Sequence, residues 1–311
     1  DTITINVEVT KSGAASSNLC SLTVNGKLNL SAQLNMGEYS ALVVNAGASI
    51  DLNGNDINGM TGGSFRKFLV NGTSEARVKI YNTTGSGRIY YDDRNGNGSE
   101  TTSKIYYCDF KSVGDINLLP WNTTDTVIID HCTFTNCTRL YVGRWYAAAF
   151  INITNSDFFN SKDNSSGNCL DIGYGEDKLA QNVLINHCTF YNNAGSAIKS
   201  DLRGIKVTNC IFRNVNVSFL SPYFEFAHNA MFQSNCYDNS KLMGDVAKGK
   251  IIGNYFWSDR DNPHWFVELA GVLDSNIVES TYGQGFGDAG DFTVSQGSDT
   301  LRVKHNIFID G

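Results

Sequence analysis

Ile129-Asp130-His131-Cys132-Thr133-Phe134 and, farther along, Val207-Thr208-Asn209-Cys210-Ile211-Phe212 are two copies of one phrase. Each has a short apolar run, a polar residue, a small residue and then an x-Phe pair. Further copies are Tyr107-Cys108-Asp109-Phe110, Asn155-Ser156-Asp157-Phe158, His187-Cys188-Thr189-Phe190 and Gly253-Asn254-Tyr255-Phe256. Weaker ones are Asn235-Cys236-Tyr237, Ser275-Asn276-Ile277 and His305-Asn306-Ile307-Phe308. The small residue falls at 108, 132, 156, 188, 210, 236, 254, 276 and 306. Intervals of about 20–30 residues mark a solenoid in which each repeat is one turn of a coil.

The runs before the phrase are β-rich and strand-length: Thr126-Val127-Ile128-Ile129, Phe150-Ile151-Asn152-Ile153, Asn182-Val183-Leu184-Ile185 and Gly204-Ile205-Lys206-Val207. No stretch carries a 3.6-residue apolar stripe, which excludes helical repeats. The N-terminal third repeats in its own wording, with Leu22-Thr23-Val24-Asn25-Gly26, Leu42-Val43-Val44-Asn45-Ala46 and Phe68-Leu69-Val70-Asn71-Gly72. Each is followed by a second strand-like run: Lys27–Leu30, Ser49–Leu52 and Val78–Tyr81. Asn and Gly tolerate left-handed backbone, so they mark the turns between strands. Two or three such strands make one rung of a parallel β-helix, and rungs stack about 4.8 Å apart.

In this periodicity and these phrases the chain resembles the pectate-lyase-like superfamily of right-handed parallel β-helices, over roughly residues 20–311. The resemblance implies an all-β solenoid, here of about ten to twelve rungs. It also implies a carbohydrate substrate, although one fold hosts many functions. No linker interrupts the repeat, so residues 1–311 read as one domain, with 1–20 a cap or first rung. The C-terminal end is expected to continue or to be covered by a docked partner or another copy, since a solenoid end exposes its core.

The formal charge is −7 with both signs interspersed. That argues against nucleic acid, which needs a basic face. No run of 18 apolar residues spans a membrane. An extracellular or cell-surface location suits a glycan partner. Eight cysteines would fit a disulfide framework. However, Cys108, Cys132, Cys188, Cys210 and Cys236 share one repeat slot and read as a buried, reduced ladder. Cys20, Cys137 and Cys169 are the remaining disulfide candidates. His131, His187 and His305 share a repeat position and read as rung decoration.

Aligning Leu140-Tyr141-Val142-Gly143-Arg144-Trp145, Leu170-Asp171-Ile172-Gly173-Tyr174 and Ala197-Ile198-Lys199-Ser200-Asp201 gives a candidate site. With Val142, Ile172 and Ile198 inward, Tyr141, Asp171 and Lys199 face outward on adjacent rungs. Gly143 and Gly173 would leave an open trough before Lys199, rimmed by Arg144, Trp145, Tyr174, Asp201, Arg203 and Tyr223. Such a trough has the parts for β-elimination on a uronate polysaccharide. Lys199 would be the base, with Arg203 or Arg144 stabilising the enolate. Ile198-Lys199-Ser200 resembles the Lys-Ser element of alginate and chondroitin-B lyases, and Ile129-Asp130-His131 the Ile-Asp-His element of pectate lyases. The remaining signatures of those enzymes are absent. A hydrolase would instead pair Asp171 with Asp201, or Asp130 with Asp109. Trp257 and Trp265 are further candidates for stacking on sugar rings.

Asp93-Arg94-Asn95-Gly96-Asn97-Gly98 matches the opening of a calcium loop. Asp93, Asn95 and Asn97 would be ligands, with Glu100 or Asp92 supplying further charge; Lys104 at the twelfth place excludes a full EF-hand. The rival to a carbohydrate-active protein is a non-catalytic structural or adhesive β-helix, such as a phage tailspike shaft, a fibre or a surface adhesin.

Overall fold

The computed structural model describes residues 2–5, 9–11, 20–36, 40–59, 65–92, 102–119, 125–143, 150–161, 168–173, 183–193, 195–200, 202, 204–219, 223–233, 242–244, 249–259, 266–269, 271–280, 292–294 and 301–310. Among them there is no helix. The strands form three parallel sheets of 13, 12 and 12 members, and consecutive members of a sheet are three strands apart in the chain. Each turn therefore places one strand in sheet A (the 13-stranded one), the next in sheet B and the third in sheet C. The architecture is the expected parallel β-helix. Twelve turns close among the described residues, and Ile307–Asp310 opens the next in sheet A.

Alternation sets which side chains go inside. In Thr126–Asp130, Val127 and Ile129 are buried while Thr126, Ile128 and Asp130 are partly exposed. The same parity holds in every neighbouring rung, so inward residues stack in columns along the axis. Phe110, Phe134, Phe158, Phe190 and Phe212 form one such column, with ring centroids 4.7–5.1 Å apart and planes within 5°. That spacing matches the rung rise, so each ring lies flat on the next.

The turn from sheet C into sheet A explains the phrase that reveals the repeat. Tyr107, His131, Asn155, His187, Asn209, His228, Ser275 and His305 have φ between 48° and 56°. This left-handed residue bends the chain and turns the next residue inward, with its N–H directed along the axis. The small slot residue of the following rung accepts that N–H. Cys132 N donates to Ser156 Oγ (3.1 Å), and Cys188 N to Cys210 Sγ (3.4 Å). Cys210 N donates to Asn229 Oδ1 (2.8 Å), Asn229 N to Asn254 Oδ1 (2.8 Å), Asn254 N to Asn276 Oδ1 (2.9 Å) and Asn276 N to Asn306 Oδ1 (2.9 Å). The ladder is thus a spine of buried hydrogen bonds as well as a column of small side chains.

Its membership corrects one sequence assignment. The slot after Cys210 belongs to Asn229, not Cys236, which lies outside the described residues. Met231 takes the Phe place in that rung, pairing with Phe212 and Phe256. Cys108, Cys132, Cys188 and Cys210 are free and buried as expected. Burial pushes the Cys132 thiol up to about 12 and raises those of Cys108 and Cys188 well above the ordinary range. Cys137 and Cys169 likewise form no disulfide, and both line a small pocket beside Phe134 and Phe158.

Candidate functional site

Sheet B carries the residues singled out from the sequence. Its strands Asp115–Leu119, Arg139–Val142, Asn168–Ile172, Ser196–Ser200 and Asn216–Phe219 lie side by side. Leu140, Leu170, Ile198 and Val217 stack inward and are buried. Val142 and Ile172 are inward too, in the next column, where Ser200 follows them. Parity then puts Asn117, Tyr141, Asp171, Lys199 and Ser218 outward, in register on five consecutive rungs. From Asn117 to Lys199 the column runs about 14 Å, three steps of the rung rise. Although they face away from the core, Asn117, Asp171 and Ser218 are only 7%, 8% and 7% exposed. The column is therefore recessed. Within it the Oδ1 of Asn117 accepts no hydrogen bond.

The cation at the centre of this face is Arg139, which the sequence reading passed over. It stands opposite Asp115 in register and two residues before Tyr141, on the same side of the sheet. Its guanidinium lies 3.4 Å from the Asp115 carboxylate and 3.7 Å from that of Asp171. It also sits over the Tyr141 ring, 5.2 Å from the centroid. Asn168 Nδ2 adds a 3.4 Å contact to Asp171 Oδ2. Asp171 is thereby turned toward Arg139, across the rungs. Lys199 is half-buried, and among the described residues no carboxylate lies within 4 Å of it.

The two glycines do not open a trough. Gly143 and Gly173 are buried corner residues with φ of +88° and +78°. A Cβ on Gly173 would lie 2.3 Å from Leu202 Cγ, so an apolar side chain already fills the space. The site is a recessed polar column, and the glycines bend the chain at its border.

Two other candidates stand elsewhere. Tyr223 is exposed, with φ of 68°, just ahead of the sheet C strand Glu225–Ala227. Trp257 faces outward on sheet A, between Phe232 and Glu279. Arg144, Trp145, Tyr174, Asp201, Arg203 and Trp265 lie outside the described residues, as do Asp93, Asn95, Asn97 and Glu100 of the calcium motif. Among the described residues no three His, Cys, Asp or Glu side chains converge on a metal position, and no helix is long and apolar enough to cross a membrane.

The alternative carboxylate pair of Asp109 and Asp130 is already engaged. Asp109 is on sheet A, bound by Arg77 at 2.6 Å. Asp130 ends a sheet C strand, where Thr154 Oγ1 (2.6 Å), Asn155 Nδ2 (2.9 Å) and His131 Nδ1 (2.9 Å) converge on it. Burial works against ionisation of Asp130, but these three hydrogen bonds together lower its pKa. The Ile-Asp-His element is thus a clamp between rungs.

The chain matches no family model, no curated protein and no solved structure. Function is accordingly read from the site.

Proposed function

We propose that the protein binds an acidic, uronate-bearing polysaccharide along the outer face of sheet B, as an extracellular or cell-surface member of the pectate-lyase-like superfamily. The observation that carries this reading is the column Asn117–Tyr141–Asp171–Lys199, recessed and in register. Tyr141 offers a ring edge and hydroxyl beside Arg139, as suits a wet sugar site. Lys199 offers its charge to a carboxylate. The rungs repeat these groups along a line, which suits a linear polymer better than a compact ligand.

β-Elimination is the catalytic form of the same reading. In that form Lys199 would act as the neutral amine, not as the carboxylate's counter-ion, taking the proton α to the uronate carboxylate while the glycosidic oxygen leaves. Arg139, held between Asp115 and Asp171, is the described cation nearest the column and would take the enolate-stabilising role assigned from sequence to Arg144 or Arg203.

The test is co-sedimentation or calorimetric titration with polygalacturonate, alginate and chondroitin, together with absorbance monitoring for an unsaturated product. Binding to at least one of these, weakened by neutral replacement of Lys199, is expected. An absorbance increase makes the site a lyase, and binding without it makes it a lectin-like face. Failure to bind any acidic polymer would overturn the proposal.

A further inference from the structure

The outer face of sheet A changes character along the axis. In the earlier rungs it presents Lys79, Asp109, Lys111, Thr133, Thr135 and Asp157, with the rings of Tyr81, Phe159 and Tyr191 among them. From Ile211 onward it turns apolar, and Ile211, Ile277 and Ile307 are 39%, 37% and 54% exposed. Exposed apolar surface grouped on one face marks an interaction site.

Two columns make up the apolar part. One runs Arg213, Phe232, Trp257, Glu279 and the other Ile211, Ala230, Tyr255, Ile277, each in register over four rungs. The first has a cation at one end, an anion at the other and two aromatic rings between. The second has an isoleucine at each end, with a small and a large residue between. Both sequences complement their own reversal. Turn a second copy over about a two-fold axis that lies along the strand direction, between the rungs of Phe232 and Trp257. Arg213 then faces Glu279 of the other copy, and Phe232 faces Trp257. In the second column Ile211 faces Ile277 and Ala230 faces Tyr255, small against large. A two-fold axis along the coil would instead set the charged column against the isoleucine column and leave both charges unpaired.

We propose that this face is an isologous interface through which two copies of the chain pair with their coil axes antiparallel. A two-fold contact uses one patch twice, so each charge pair occurs twice. Within one chain Arg213 already lies over the Phe232 ring at 5.3 Å, and Glu279 accepts a 2.6 Å hydrogen bond from Tyr255 Oη. Both charges are therefore oriented before docking, which lowers the entropy lost on association. The strip is about 14 Å long over its four rungs and one strand wide, well below the size of a standard specific interface, so pairing is weak, reversible and concentration-dependent.

Sedimentation velocity over a dilution series tests this with charge swaps. The wild-type chain is expected to shift from monomer to dimer as concentration rises. Arg213→Glu sets Glu against Glu279 twice and should weaken the dimer roughly 10- to 100-fold, as should Glu279→Arg. The double variant, or an equimolar mixture of the two single variants, should restore it, because every contact again joins opposite charges. Both substituted positions face outward, so circular dichroism should report the same fold throughout. Three results overturn the proposal: a wild-type chain that stays monomeric, single variants that dimerise as well as wild type, or a mixture that fails to recover. A monomeric chain that loses polysaccharide binding on Trp257→Ala would overturn it in favour of a sugar platform.

Discussion

Asn254→Ala should cut the hydrogen-bonded spine at a single point. The Asn254 side chain is buried and makes four contacts. Its Oδ1 accepts from Asn229 N (2.8 Å) and Asn229 Nδ2 (3.2 Å). Its Nδ2 donates to Phe226 O (2.9 Å) and Asn276 Oδ1 (2.9 Å). On truncation, Asn276 Oδ1 keeps the Asn254 N–H, and Asn229 Nδ2 keeps Val207 O. The Asn229 N–H loses its acceptor outright, and Phe226 O loses a donor. One buried orphan costs about 1–3 kcal/mol, and the cavity and second lost bond raise the expected loss to about 2–4 kcal/mol. Serine should do much better. Ser156 fills the same slot, accepting from Cys132 N at 3.1 Å and donating to Thr154 O at 2.7 Å. Asn254→Ser is therefore expected to lose only about 1 kcal/mol. Equilibrium unfolding in urea reads the magnitude. Hydrogen exchange reads its place, with faster exchange at Asn229 and in Tyr255–Ser258 and unchanged protection near Cys108, because each rung touches only its neighbours. An alanine variant within about 0.5 kcal/mol of wild type, or a serine variant as unstable as alanine, would refute the spine.

Gly173→Ala, with φ of +78° and Leu202 Cγ 2.3 Å from the new Cβ, should destabilise by about 2–4 kcal/mol in thermal or urea unfolding. Gly143→Ala has a similar φ but no contact closer than 3.7 Å, so only the backbone term of about 1–2 kcal/mol remains. Asp130 has a depressed folded-state pKa, so its stabilisation is present above the ordinary carboxylate pKa and is lost as pH falls through the lower folded value. Asp130→Asn should lower stability at neutral pH and flatten that part of the acid unfolding curve. The buried thiols of Cys108, Cys132 and Cys188 should ignore a disulfide reagent at mildly alkaline pH in the native state and react at once in denaturant.

The fold was legible because the coil writes one constraint many times. Val24, Val44 and Val70 recur 20 and 26 residues apart and do stack in register. Lys27–Leu30 and Val78–Tyr81 are strands with the expected bounds. The misplaced rung shows the limit. His228-Asn229-Ala230-Met231 lacks the Phe that marks its siblings, yet flexible Met fills the same interior place. Tyr141, Asp171 and Lys199 could be aligned because strand parity determines their face. Arg139 was equally accessible by parity, two residues before Tyr141, but its importance depends on Asp115 one rung back and Asp171 one rung on. Gly143 and Gly173 were misread because a missing side chain is neutral in sequence. Only the packed structure shows whether Leu202 or solvent occupies the space.

The central claim is that the sheet B column reads an acidic sugar through Tyr141 and Lys199. Its most direct test is isothermal titration of a polyuronate oligosaccharide into wild type, Lys199→Ala, Tyr141→Ala and Lys206→Ala, the last an exposed lysine on sheet C. Loss of Lys199 or Tyr141 is expected to weaken binding by roughly 10-fold or more, with Lys206→Ala unchanged. Equal affinities for all four proteins, or an equal loss for the two lysine variants, would contradict it.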